Sequence, residues 1–239
     1  MKHLFILLCI STSSLLFSQD KKVENPWSGN FDLGLNFTKN NESTFQFNNI
    51  FLINYKSDVY QISLANNIAF VNKTGEDELL NKGVQDFKYT LDAKKLDANI
   101  MLQHLYDISR SVKNRYTTGI GVSYNFTNED NKKIAIGLSA LREKEIPLEG
   151  EDKLQNRLSS NFDFLIKLNK NIAISTINHY QPNIKQMGDF RWKTNISFRV
   201  NLSPHFLLNI NSIFNYDSVP AEGIPETDYQ LINSISYTF

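Results

Sequence analysis

The chain has 239 residues, with 25 Lys and Arg set against 25 Asp and Glu. That balance leaves no basic footprint for nucleic acid, and the lone Cys9 excludes a disulfide framework. Mean hydropathy is slightly negative, which does not exclude a membrane barrel, because alternate strand residues facing water dilute the apolar signal.

The first 19 residues read as a secretory signal peptide that is removed. Met1-Lys2-His3 is a basic start, Leu4 to Ile10 a short apolar core, and Ser18 a small residue before a cut near Gln19. The apolar run breaks at Ser11, far short of the ~20 residues of a membrane helix. Cys9 sits too early for a lipoprotein anchor and leaves with the signal, so the mature chain has no thiol chemistry. Residues 20–26 form a short periplasmic segment, and 27–239 fit one domain.

From Trp27 onward the pattern is period two, with no helical periodicity, and it predicts twelve strands. The first places Phe31, Leu33, Leu35 and Phe37 on one face, the second Phe45, Phe47, Phe51, Ile53 and Tyr55, the third Tyr60, Ile62, Leu64, Ile68 and Phe70. Phe87, Tyr89 and Leu91 mark the fourth; Leu96, Ile100, Leu102 and Tyr106 the fifth; Tyr116, Ile120, Val122, Tyr124 and Phe126 the sixth. Ile134, Ile136 and Leu138 mark the seventh; Leu158, Phe162, Phe164 and Ile166 the eighth; Ile172, Ile174 and Tyr180 the ninth. Phe190, Trp192, Ile196 and Phe198 mark the tenth, Phe206, Leu208, Ile210, Phe214 and Tyr216 the eleventh. The twelfth is the run from Thr227 to Phe239, with Tyr229, Leu231, Ile235, Tyr237 and Phe239 sharing a face. Each segment supplies the ~9–11 residues that a tilted strand needs to cross a bilayer.

The links alternate in length. Short ones fall at Lys56 to Asp58, Lys94-Lys95, Asn128 to Asn131, Asn169 to Asn171 and Ser203 to His205. Longer ones fall at Val71 to Val84, Asp107 to Asn114, Glu143 to Lys153, Pro182 to Asp189 and Asp217 to Glu226, with Lys39 to Ser43 the one short member of that set. Short periplasmic turns, longer outer loops and an even strand count describe an all-β, closed antiparallel outer-membrane barrel. Closure also removes the unpaired edges that lipid cannot tolerate. The aromatics gather at both ends of the strands around an aliphatic middle, as two girdles do. A soluble β-sandwich or lipocalin-like barrel would spread them more evenly and turn its apolar face inward. Tyr237 and Phe239 form a terminal aromatic signature of the kind the barrel-assembly machinery reads.

Both ends of the chain resemble a known family. Trp27-Ser-Gly29-x-x-x-Leu33-Gly34-Leu35 with Asn41-x-x-Thr44, and Asn215-Tyr-Asp217-x-x-Pro220-x-x-Gly223-Ile224-x-x-Thr227-Asp228 leading to Tyr237-x-Phe239, are similar to the opening and closing segments of the YdiY-like salt-induced outer-membrane proteins. Asn40 departs from the glycine usual there. The resemblance implies location and fold and nothing catalytic.

If the apolar face meets lipid, the other face lines a lumen rich in Asn, Ser, Thr and Gln. Its charges are the candidate site: Asp32, Asp86, Asp92 and Asp97 on early strands; Arg115, Lys133, Arg157, Lys167, Arg191, Lys193 and Arg199 on later ones; and Lys88, Asp163 and Asp228 out of that order. The expectation is an acidic arc facing a longer basic arc, hence a narrow passive pore or an envelope-stress-related protein for small polar solutes, with the basic excess favouring anionic ones. Gly34, Gly119, Gly121, Ala135 and Gly137 are read as leaving space along the wall. The alternative is a closed barrel whose charges pair across the lumen and whose outer loops bind a ligand or partner. The expected surroundings are outer-membrane lipid and lipopolysaccharide.

No enzyme is read from the sequence. A lipid-active barrel needs a serine beside a histidine base; His104, with Ser109 and Ser111 in the next loop, is the one place to look, and no His-x-Ser pairing is present. The acids at Glu76 to Glu78, Glu143, Glu145, Glu149, Glu151 and Asp152 are read as solvated outer loops in preference to a divalent-cation site. No cofactor motif, zinc spacing or phosphate loop appears.

Overall fold

The computed structural model describes residues 25–39, 43–73, 81–93, 95–129 and 131–239. The signal peptide, most of the 20–26 segment, Glu76-Asp77-Glu78 and the centre of the Lys39 to Ser43 link lie outside them. Twelve strands follow in chain order: β1 (Trp27–Lys39), β2 (Ser43–Lys56), β3 (Tyr60–Lys73), β4 (Lys82–Ala93), β5 (Leu96–Asp107), β6 (Val112–Glu129), β7 (Lys132–Pro147), β8 (Lys153–Lys167), β9 (Ile172–Pro182), β10 (Phe190–Asn201), β11 (Phe206–Asp217) and β12 (Thr227–Thr238). Each pairs antiparallel with its chain neighbours, and β1 pairs with β12 to close the barrel. Among the described residues, no helix is long and apolar enough to cross a membrane.

The alternation in the sequence becomes two faces of one wall. Ile120 is 66% exposed, Ile235 56% and Leu138 55%, while their strand neighbours Gly119, Ser234, Ser236 and Ser139 are buried. A water-soluble barrel would bury the first set inside. A continuous exposed apolar belt of this kind is a surface for lipid. Its borders are aromatic. On the side of the shorter turns, Trp27 packs edge-on to Tyr55 at 4.9 Å, and Tyr237 lies 5.5 Å from Phe206 and 6.5 Å from Phe239. On the opposite side, Phe190 lies between Tyr180 and Tyr216 at 5.3 and 5.4 Å. Short turns mark the periplasmic side, so the start of β1 and the end of β12 are on that side.

Two features depart from the alternation's simplest reading. The wall is uneven: β6, β7 and β8 run for 18, 16 and 15 residues, beyond the ~9–11 that span the bilayer. The outward-facing Arg142 and Lys144 on β7 show that this upper part stands clear of lipid, where an outward charge costs little. The Glu143 to Lys153 stretch, expected as a loop, is therefore mostly strand, and the Asp107 to Asn114 stretch shrinks to a single helical turn at Ile108–Arg110 between β5 and β6. The seam is also uneven. β1 pairs with β2 from Trp27 to Lys39, but with β12 only from Asn30 to Gly34.

Candidate functional site

Side chains that touch across non-neighbouring strands identify the interior. Lys82 on β4 donates to Gln230 on β12 at 2.8 Å, and Arg191 on β10 reaches Glu143 on β7 at 2.7 Å. Strand register carries these positions around the ring, and it puts all of the expected charges, Asp32, Asp86, Lys88, Asp92, Arg115, Lys133, Arg157, Asp163, Lys167, Arg191, Lys193, Arg199 and Asp228, on the inward face. They do not form one site. Asp86, Lys88, Arg115, Asp163, Arg191, Lys193 and Asp228 line a single lumen cavity. Arg157 is at the outer mouth. Asp92, Lys133, Lys167 and Arg199 fall near the periplasmic ends of their strands, and Asp32 is packed away at 3% exposure.

The mouth holds a network that the expected arcs did not contain. Arg157 is 1% exposed and donates to the carbonyls of Gln181 and Asp189, to Gln155 Oε1 and to Asp189 Oδ1, the last at 2.7 Å. Glu143, 4% exposed, lies within 4.0 Å of three guanidinium groups, those of Arg115, Arg157 and Arg191. Glu145 takes Arg115 at 2.5 Å and Arg191 at 3.0 Å, and Asp217 takes Arg191 at 3.1 Å. Asp189, between β9 and β10, is buried, which raises its carboxyl; the hydrogen bonds from Asn183 and Arg157 and the charges of Arg157 and Arg191 outweigh that and hold it below the usual carboxylate range. Three arginines and Lys153, 3.9 Å from Glu145, thus meet four acids. The basic arc is neutralised at its outer end.

Glu143 and Glu145 were missed because the Arg-Glu-Lys-Glu run suggests a solvated loop. Leu141, Glu143 and Glu145 in fact prolong the inward period of β7, a signal the sequence does carry. The glycines read as leaving space do not. A Cβ on Gly119, Gly121 or Gly137 would collide with Leu141, Ser139 or Asn161, whose side chains already fill those gaps.

Below the mouth the cavity measures about 550 Å³. Six cations (Lys82, Lys88, Arg110, Arg115, Arg191, Lys193) and six acids (Asp86, Asp107, Glu143, Asp163, Asp217, Asp228) line it, so the expected basic excess is absent from its wall. Lys88 and Lys193 are exposed to the cavity and make no ion pair within 4.0 Å among the described residues. Asp86 accepts from Gln103 at 2.7 Å. His179 also faces this space. Towards the periplasm the interior tightens. Asp32, Asn125, Ala135, Ser197, Asn209, Asn211, Ser234 and Ser236 are all buried, tied by bonds such as Asn30 to Asp32 at 2.7 Å and Asn125 to Asp97 at 2.9 Å.

Outside the lumen, His104 is on the outward face, stacked on Tyr116 at 4.9 Å. Its ring nitrogens contact Gln85 Oε1 at 2.7 Å and Asn114 Oδ1 at 2.9 Å. The neighbouring Ser109 instead donates to Asp107. Histidine and serine are not brought together. Among the described residues, no group of three His, Cys, Asp or Glu side chains could hold a metal ion.

An apolar outer belt between aromatic girdles, closed by twelve antiparallel strands around a polar interior, defines an outer-membrane β-barrel. The chain belongs to the family described as protein of unknown function DUF481, whose pattern it matches over residues 31–239. That span extends the likeness at the two ends through the middle strands. Among solved structures it is similar to the NanC porin (9% identity, 88% of this chain and 97% of that one, TM-score 0.53) and to an outer-membrane channel from Pseudomonas putida F1 (8% identity, 94% and 100%, TM-score 0.54). At such identities the likeness concerns the fold. Comparison with curated proteins finds no match.

Proposed function

We propose that this barrel is a narrow passive route for small polar solutes, entered from outside through the charged mouth and narrowest in its periplasmic half. The observation that carries the reading is the 550 Å³ lumen cavity, whose balanced lining leaves Lys88 and Lys193 free to meet a solute. Opposed ammonium and carboxylate groups orient dipolar molecules without strongly favouring one sign of ion. The route is thus read as weakly selective, against the anion preference that a basic arc would have imposed. The packed layer around Asp32 favours a second reading, a barrel closed towards the periplasm whose outer cavity binds a ligand. Planar-bilayer recording with the mature protein separates them. Small conductance steps with a reversal potential near zero in a KCl gradient support the route; the absence of steps at every voltage removes it and leaves the closed barrel.

A further inference from the structure

The charges of the lumen are of two kinds. At the mouth, acids close onto guanidinium groups, as Glu143, Glu145 and Asp217 do on Arg191 at 2.7, 3.0 and 3.1 Å. Below it, opposite charges share the cavity and stay apart. Lys88 and Lys193 stand on β4 and β10, six places apart on the ring of twelve strands and so on facing walls. Neither makes a hydrogen bond or an ion pair within 4.0 Å among the described residues, and neither does Asp163 on β8. Asp86, the inward residue before Lys88, has only the hydrogen bond from Gln103. These groups are nonetheless close. His179, the cross-strand neighbour of Lys193, lies within electrostatic reach of Lys88, Lys193 and Asp163, and Lys193 lies within reach of Asp86. One wall thus offers Lys88 and Asp86, the other Lys193 and Asp163, across a gap that no ion pair closes.

That gap selects by chemistry. Charge held inside a protein is costly until it is compensated. A single ion compensates one sign here and faces the other as a like charge. A neutral sugar brings hydroxyl groups and no charge. A molecule with a carboxylate and an ammonium on one carbon meets both signs in one gap and carries no net charge. Apolar side chains flank the same place. Ile177, 43% exposed on the inward face, pairs with Asp163, and Met101 pairs with Lys88; both line the cavity. A few polar anchors beside apolar wall suit a ligand with an apolar body. The cavity, about 550 Å³, is within the range of about 300–1,000 Å³ of small-molecule sites.

We propose that the cavity binds α-amino acids with apolar side chains as zwitterions. The carboxylate meets Lys193 and Lys88, the ammonium meets Asp163 and Asp86, and the side chain lies along Ile177 and Met101. This rests on the reading that small polar solutes enter from outside, and not on their passage through the periplasmic half. The test is ligand-observed NMR titration of the mature barrel in detergent. The probes are leucine, 4-methylpentanoate, which lacks the ammonium, 3-methylbutylamine, which lacks the carboxylate, and glucose. Wild type is expected to bind leucine at least ~10-fold more tightly than the other three, the scale of one charge-assisted hydrogen bond. Lys193→Met and Asp163→Asn should each weaken leucine by about 10-fold for the same reason. Asp163→Asn should leave 4-methylpentanoate no weaker, because it removes a like charge, and it reads the site on its own if Lys193→Met does not fold. Lys144→Gln is the control, an exposed cation outside the lumen, and should leave leucine unchanged. Absence of leucine binding, equal binding of leucine and either fragment, or leucine binding unmoved by both lumen variants overturns the site. Conductance without leucine binding overturns the site and leaves the route; leucine binding without conductance upholds the site and overturns the route.

Discussion

Arg157 should clamp the β9–β10 loop, and replacing it with Met tests how strongly. Met keeps most of the apolar stem but removes a cation that is 1% exposed and makes hydrogen bonds to two backbone carbonyls, Gln155 and Asp189. Taking one partner from a buried ion pair typically costs about 3–5 kcal/mol, because the other charge is left without compensation. The residual ties of the loop are backbone bonds from Ile184 to Asn156 at 2.9 Å and from Asn183 to Asp189 at 2.8 Å, with side-chain bonds from Asn183 to Asp189 at 3.0 Å and from Ser218 to the Gly188 carbonyl at 2.9 Å. If the loss falls on loop opening, the open population rises by roughly two to four orders of magnitude. Lys185 is exposed within this loop and supplies a tryptic site. Cleavage in the limit of fast opening follows the open population. Trypsin added to intact cells or proteoliposomes should therefore cut Arg157→Met after Lys185 at least ~100-fold faster than wild type, with the barrel still resistant to unfolding by cold SDS. A cleavage rate within about twofold of wild type would refute the clamp, on the magnitudes above.

The same loop should respond to acid late. The Asp189 carboxyl is held below its ordinary range, so its contribution is complete above the unfolded carboxylate pKa, about 3.9, and is lost only as pH falls through the lower folded value. Protection of the loop, followed with an acid-active protease, should persist at about pH 4 and fail below it; failure already near pH 5 would contradict this. Glu143→Gln leaves three guanidinium groups around a neutral amide. It should destabilise the barrel by about 3–5 kcal/mol, lowering the temperature of its electrophoretic shift in SDS. Lys88→Ala with Lys193→Ala reduces the cavity's cations to four against six acids, so any conductance should become cation-selective, read from the sign of the reversal potential.

The fold was legible because a transmembrane strand must solve two solvents at once, and residues such as Ile120, Val122 and Tyr124 alternate with Gly121 and Ser123 accordingly. The inward register of each candidate charge followed from that period alone. Their pairing did not. Arg191 meets Glu143 across the interior from a strand three places along the ring, a distance set by closure and strand stagger, which no local pattern encodes. Asp189 was legible only as a loop acid, since its partner Arg157 lies 32 residues earlier. The outward contacts of His104 with Gln85 and Asn114 were harder still. Each residue reads alone as one polar break in an apolar face, and only the pairing of β4 to β6 puts them side by side.

The seam between the chain's two ends has a mechanical meaning. Its five residue pairs, Asn30 with Thr238 to Gly34 with Ser234, do the work that the full length of β1 shares with β2 on the other side. Phe239 reinforces them: its backbone exchanges hydrogen bonds with Gly29 at 3.0 and 3.2 Å, and its ring fills the space that a Gly29 side chain would need. Heat, detergent or a pulling force should therefore part the cylinder along this line first, leaving an open twelve-stranded ribbon with its other joints zipped. Insertion run in reverse has the same geometry. The last aromatic residue is then a latch as much as a label, thrown when the first strand arrives to meet it.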